Sequence, residues 1–271
     1  MNPFLDVALD AANEAGAMLR EAFDRPKTIS YKGEVDLVTE SDKRSESIII
    51  SKIRSRFPEH AIRAEESSPR ASDNAKYCWH IDPLDGTTNF AHAYPCFAVS
   101  IGLVEEGEPL VGVVLNPIAN ELFTAVRGEG AYLNQRPIRV SPIEKLATSL
   151  VSTGFPTHQR ANNRNIYYYW EFTMRSHGVR RDGSAALDLC AVACGRFDGF
   201  WEFGLSSWDT AAGMLIVKEA GGTITDLEGR PYHPGDRSIL ATNGKIHIEM
   251  QELASRIAER SATALSLLGN S

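Results

Sequence analysis

The chain of 271 residues lacks any apolar run of the roughly 20 residues needed to cross a bilayer as a helix, so no membrane-spanning helix is expected. Neither terminus reads as a targeting signal. Val7, Ala8, Ala11, Ala15, Met18, Leu19 and Ala22 recur at helical spacing, but Asp6, Asp10 and Glu14 interrupt them, which an apolar signal core does not tolerate. Cysteine is scarce: there are four, none in a C-x-x-C pair, so neither a disulfide framework nor a thiolate metal knuckle is indicated. Cys190 and Cys194, four apart on a predicted helix, read as small packing residues. These absences together predict a cytoplasmic protein. Positive charge is short as well, with 28 Lys and Arg against 35 Asp and Glu and a net charge of −7. Direct nucleic-acid binding wants clustered cations and is not expected. The basic stretches Arg175 to Arg181 and Arg160 to Arg164 read as solvated surface or the rim of a dimer. No internal repeat or low-complexity segment is present, and 43% hydrophobic content is enough for a substantial core.

What the chain does have is acid at particular corners. Trp79-His80-Ile81-Asp82-Pro83-Leu84-Asp85-Gly86-Thr87-Thr88-Asn89-Phe90 places two carboxylates around a proline behind a probable strand. Pro83 fixes its own φ and donates no hydrogen bond, so the backbone turns there and Asp82 and Asp85 converge instead of alternating. Gly86 lets the backbone approach a ligand, and a helix starting near Thr87 would offer free N–H groups to a phosphate oxygen. Taken alone this segment also fits a capped Asx turn. Three more acidic clusters accompany it: Asp36 to Asp42, which opens a helical pattern; Glu65-Glu66; and Glu202 with Asp209, the latter just before a small apolar helix.

These motifs, together with Gly183-Ser184-Ala185-Ala186 and Trp208-Asp209-Thr210-Ala211-Ala212-Gly213, resemble in order and spacing the inositol monophosphatase family of magnesium-dependent, lithium-sensitive sugar phosphatases. The resemblance implies that Glu65, Asp82 and the carbonyl of Leu84 bind one Mg²⁺, and that Asp82, Asp85 and Asp209 bind a second. A third, weakly held ion would accompany the phosphate. Carboxylates about 4 Å apart repel by roughly 4 kcal/mol per pair at an effective dielectric near 20, so cations or protons must join them. An all-oxygen donor set suits Mg²⁺ or Mn²⁺, not zinc.

The resemblance further implies in-line attack of metal-activated water on a phosphomonoester, with Glu65 and Thr87 steering the proton and Asp42 orienting Thr87. Gly86 and Thr87 would hold phosphoryl oxygens. Asp85, Ala185 and Glu202 would hold the sugar hydroxyls. Lys32 and Glu66 are further candidates. Thr88 and Asn89 look like the inositol branch, which makes inositol 1-phosphate the expected substrate. Histidinol phosphate and fructose 1,6-bisphosphate are the alternatives, and a protein-binding accessory of the transcription machinery is the alternative from another class.

The expected fold is α+β or α/β, an αβαβα layered sandwich of two closely packed lobes, the sugar phosphatase fold. Short apolar runs at Phe97 to Val104, Leu110 to Asn116, Glu121 to Val126 and Arg136 to Val140 predict an antiparallel meander. A composition change near Ser141-Pro142 separates residues 1–142, with most metal ligands, from residues 143–271, where strands and helices alternate. The family implies a homodimer.

Overall fold

The computed structural model describes residues 2–25, 29–31, 37–67, 75–155 and 163–268. Two helices lead. In α1 (Pro3–Phe23), Asn2 caps the first turn by accepting from the N–H groups of Phe4 and Leu5, and Pro3 occupies the first turn, where its missing N–H costs nothing. After a short hairpin of β1 (Ile29–Tyr31) and β2 (Leu37–Thr39), α2 (Glu40–Arg56) starts. The helical pattern expected from Asp36 begins later because Thr39 is the cap: its hydroxyl accepts from the N–H of Ser41, and Asp42 accepts from the N–H of Thr39 at 2.7 Å.

A seven-stranded sheet follows, with β3 (Ala61–Ala64) and β4 (Tyr77–Asp85) parallel and the rest antiparallel: β5 (Ala98–Glu105), β6 (Glu108–Asn116), β7 (Glu121–Val126), β8 (Gly130–Leu133) and β9 (Arg136–Pro137). The run predicted at Arg136 to Val140 contributes only two residues. The strand at Gly130–Leu133 escaped sequence reading because it is short and set between a glycine turn at Gly128 and a turn at Asn134-Gln135.

A second sheet of five strands has the order β11-β10-β12-β14-β13, built from β10 (Leu150–Thr153), β11 (Gly178–Arg180), β12 (Gly199–Phe203), β13 (Thr223–Thr225) and β14 (Ser238–Thr242). Here the basic stretch taken for open surface supplies an edge strand, β11. Helices α3 (Thr87–Ala91), α4 (Asn165–Thr173), α5 (Ala185–Ala193), α6 (Ser207–Glu219) and α7 (His247–Leu268) complete the chain.

The layers follow from which faces are apolar. α1 and α2 bury Val7, Ala11, Leu19, Ile49 and Ile53 against Trp79, Ile81 and Val113 on one face of the seven-stranded sheet. α5 and α6 bury Leu189, Met214 and Ile216 against Ala98, Val114 and Phe123 on its other face, and against Phe200 and Ala241 of the second sheet. α4 and α7 close the far side of that sheet with Phe172, Met250 and Leu253. The result is the expected αβαβα sandwich, and α6 is apolar on nearly all sides because it lies between two sheets.

Close approach of α6 is set by two glycines. A Cβ at Gly112 would come within 2.6 Å of the Ala212 carbonyl oxygen, and one at Gly102 within 2.9 Å of the Ala212 nitrogen. Because the obstacle is helix backbone, Gly112→Ala is expected to destabilise the protein by about 1–3 kcal/mol. The check is a urea titration, in which the midpoint falls while the slope stays constant.

Candidate active site

Strand β4 sets the site. Its alternation sends Trp79 and Ile81 into the α1/α2 core, and His80 and Asp82 to the opposite face, where His80 Nδ1 lies 2.8 Å from Ser207 Oγ at the start of α6. At Pro83 the pairing with β5 shifts register between Asp82 and Asp85. That irregularity lets two carboxylates three residues apart open on one cavity, as expected from the proline. The cavity has a volume of about 400 Å³ and is lined by Glu65, Asp82, Leu84, Asp85, Gly86, Thr87, Ala185, Glu202 and Asp209 among others.

Three residues on one face of α2 hold this corner. Asp42, Ser45 and Glu46 follow i, i+3, i+4 spacing. Asp42 is fully buried and accepts from the Thr87 hydroxyl at 3.0 Å. Ser45 donates to the Pro83 carbonyl at 2.7 Å, and Glu46 accepts from the N–H of Glu66 at 2.8 Å. Only Asp42 was singled out from sequence; a polar stripe in register with buried Ile49 and Ile53 was the signal for the other two. The Thr87 hydroxyl also lies 3.0 Å from the Leu84 carbonyl. Its single proton goes to one of these acceptors, which leaves oxygen lone pairs for a donor in the cavity.

The other half of the cavity is pinned to the first. Ser184, the N-cap of α5, donates to Asp85 Oδ2 at 2.6 Å, and the N–H of Ala186 donates to the same oxygen at 2.8 Å. Asn89 donates to the carbonyls of Cys96 and Asp182, both at 2.7 Å, clamping the loop before α5. Asp209 Oδ2 accepts from the N–H of Ser206 at 2.7 Å. Gly86 has φ +93° and caps α3; among the described residues the N–H groups of Gly86 and Thr87 make no hydrogen bond, so they remain available to an anion. Glu202, on β12, is 6% exposed and turns into the cavity instead of standing at an exposed strand end. Ala64, just before Glu65, is buried and stays in an ordinary strand conformation.

Burial first, and then the charges of Glu65, Asp85 and Asp209, push the Asp82 carboxyl far above its usual range. Burial, with Asp209 and Asp85 next, does the same to Glu202. Asp209 is likewise raised, chiefly by burial and by Asp85, and Asp85 by burial, against the bonds from Ser184 and Ala186. Sequence reading missed two charged cavity residues and the bare backbone at Gly154. Asp188, on α5, is 2% exposed and raised by burial and by Glu202; Arg181 lines the cavity as a cation. Both sit in segments whose composition reads as packing or surface. Lys32 lies outside the described residues.

The donor set fits a hard divalent cation: it is all oxygen, and burial leaves its negative charge short of compensation. Among the described residues no three Asp, Glu, His or Cys side chains are closed on one point as a finished cage. Asp82, Asp85 and Asp209 instead each have an oxygen engaged with a nearby N–H or hydroxyl group.

The family model described as "Inositol monophosphatase family" matches residues 1–263. The chain belongs to the inositol monophosphatase family. It is similar to an inositol-1-monophosphatase of Synechocystis sp., 47% identical over 254 residues covering 93% of this chain and 88% of the relative. It is similar also to a putative Nus factor SuhB of Neisseria meningitidis, 44% identical over 259 residues, 94% of this chain and 99% of that one. Among solved structures, the inositol monophosphatase of Anabaena (Nostoc) sp. superimposes with a TM-score of 0.86 at 45% identity, covering 93% of this chain and 95% of that one. The span matched by the family model, residues 1–263, includes both sheets and every cavity residue named above.

Crowded carboxylates make a stability prediction. Asp209→Asn keeps a capping oxygen for Ser206 but removes one charge, so without divalent ions it is expected to melt higher than the parent, by about 2–4 °C for each kcal/mol of repulsion relieved. Adding Mg²⁺ should raise the parent's melting temperature and raise the variant's by less, since only the ion set that includes Asp209 is weakened; calorimetry with and without Mg²⁺ tests both.

Proposed function

We propose that this chain, a phosphatase of the inositol monophosphatase family, hydrolyses inositol 1-phosphate to inositol and phosphate in the cavity between α2, β4, α5 and α6. The observation that carries the reading is the meeting, in one cavity, of crowded buried acids, free backbone N–H groups at Gly86 and Thr87, and the inward-facing Glu202. Glu65, Asp82 and the Leu84 carbonyl would hold one Mg²⁺, Asp82, Asp85 and Asp209 would hold a second, and a third would accompany the phosphate; bound there, the ions would neutralise the phosphate and make the attacking water more acidic. Mn²⁺ has the same donor preference.

The chain's own groups do the rest. The phosphoryl group sits against the N–H groups of Gly86 and Thr87, which hold its oxygens as charge redistributes. Thr87, its proton directed to Asp42 or to the Leu84 carbonyl, accepts a hydrogen bond from the attacking water and aims it in line. Glu65 takes the proton. On the leaving side Glu202 accepts from ring hydroxyls, with Asp85 and the Ala185 backbone beside it. Gly154 supports that role: a Cβ there would fall 2.2 Å from Glu202 Oε1, so the carboxylate rests against bare backbone.

Thr88 and Asn89 favour inositol phosphate over histidinol phosphate or fructose 1,6-bisphosphate as substrate. We further propose a homodimer acting in the cytoplasm, with the exposed Tyr167 and Trp170 of α4 and Met174 just after it as its contact face. A second reading follows from relatives bearing the name Nus factor SuhB: a protein-binding role beside catalysis.

Phosphate release from inositol 1-phosphate, histidinol phosphate, fructose 1,6-bisphosphate and adenosine 3′,5′-bisphosphate, with and without Mg²⁺ and Li⁺, tests the main reading. Mg²⁺-dependent, Li⁺-inhibited preference for inositol 1-phosphate is expected; preference for another ester moves the substrate, and no turnover of any sinks the proposal. Asp82→Asn should abolish turnover, and a cellular role surviving in that variant would favour the second reading. Gly154→Ala displaces only the flexible end of Glu202, so KM for inositol 1-phosphate should rise about tenfold, roughly the 1.4 kcal/mol of one lost hydrogen bond, with the melting temperature unchanged.

A further inference from the structure

Behind the wall that carries Glu202 lies a second cavity, of about 770 Å³, that no step above uses. Strand β12 divides the two. Glu202 opens on the first and Phe203, one residue later, on the second, as strand alternation requires. The second cavity has an aromatic floor: Tyr168 and Phe203 meet edge to face with centroids 5.0 Å apart, next to Leu227 and Ala254.

Three acids and three arginines surround that floor, and their accounts differ. Asp226 accepts from the N–H groups of Glu228 and Arg230 and from Arg230 Nε at 2.6 Å. Glu228 pairs with Arg230 at 2.7 Å, and Asp236 accepts from the N–H of His233 at 2.7 Å. Arg164 and Arg237 remain: among the described residues neither pairs with a carboxylate. The Arg164 guanidinium lies 4.5 Å from the centroid of the Phe203 ring. With no carboxylate on it among the described residues, its N–H fork can bind a planar anion.

We propose that this cavity is a second ligand site, for a small organic anion with an aromatic or apolar body. The two arginines take the anionic group, and Tyr168 with Phe203 takes the body. The site is joined to the first by a short path. The Arg237 carbonyl accepts from the N–H of Gly204 at 3.0 Å, and Gly204, Leu205 and Ser206 line the carboxylate cavity up to the cap of α6. A ligand drawn onto Arg237 thus bears on the segment that presents Glu202 and Asp209, and it alters substrate affinity without competing for the substrate's place. Ligand binding here goes beyond the phosphatase reading and stands apart from it; the effect on substrate affinity rests on that reading.

Naphthalene-2-sulfonate, an aromatic monoanion with no phosphate ester, is the probe. Titration calorimetry on the full chain is expected to show one saturable site, weakened about tenfold or more in Arg164→Ala and in Arg237→Ala, with thermal melts confirming that both variants fold. Ala258→Trp, which narrows the cavity while leaving every charge in place, should weaken binding as well. Binding equal in all variants, no binding to the parent at millimolar sulfonate, or competition with inositol 1-phosphate in a rate assay would each overturn the proposal. Because the titration reads no turnover, its failure and the failure of the phosphatase reading are separable.

Discussion

Carboxylate repulsion inside a half-closed cavity is the constraint around which this molecule is arranged. Glu65, Asp82, Asp85, Glu202 and Asp209 line one space, and burial makes each uncompensated charge costly. The fold answers with directed donors. Ser184 and Ala186 hold Asp85, Ser206 holds Asp209, and Leu84 holds Asp82 through its N–H at 3.0 Å. Ser184, Ala186 and Ser206 stand at helix starts and Leu84 at the irregular end of β4, so the elements begin and end where the acids need them. The remaining negative charge is what makes a divalent cation and a phosphate ester fitting occupants together, since the cation supplies to both acid and ester the charge each lacks.

The corner at Pro83 shows how local chemistry becomes site geometry. Without the register shift, a residue three positions beyond Asp82 would face the α1/α2 core. With it, Asp85 reaches α5 on the far side of the cavity. The face of α2 bearing Asp42, Ser45 and Glu46 then locks the corner, so this helix does more than cover the sheet.

Much of this was legible in the sequence because it is local. Proline between two aspartates, glycine before two threonines and a capping residue before an apolar helix each dictate their own geometry within a few residues. The layered fold was legible from alternating apolar runs. What escaped depended on distant partners. The three residues of β11 follow a basic, polar run, and only pairing with β10 makes them a strand. Asp188 reads as one polar residue in an apolar helix until Glu202 is brought beside it from another strand. Asn89 stands in the substrate-side motif, and what the sequence could not show is that its amide also ties two loops across more than ninety residues of chain.

The position of α5 and α6 has a consequence for how this chain is made. They cover Ala98, Val114 and Phe123 on the inner face of the first sheet, yet they lie some sixty to a hundred residues later in sequence. A ribosome that has released β5, β6 and β7 has therefore produced a sheet with one dry face and one bare apolar face, an aggregation hazard. The nascent chain stays exposed in this way until residues 185–219 emerge, so the interval of synthesis between Pro137 and Glu219 is the period when a chaperone has most to offer it.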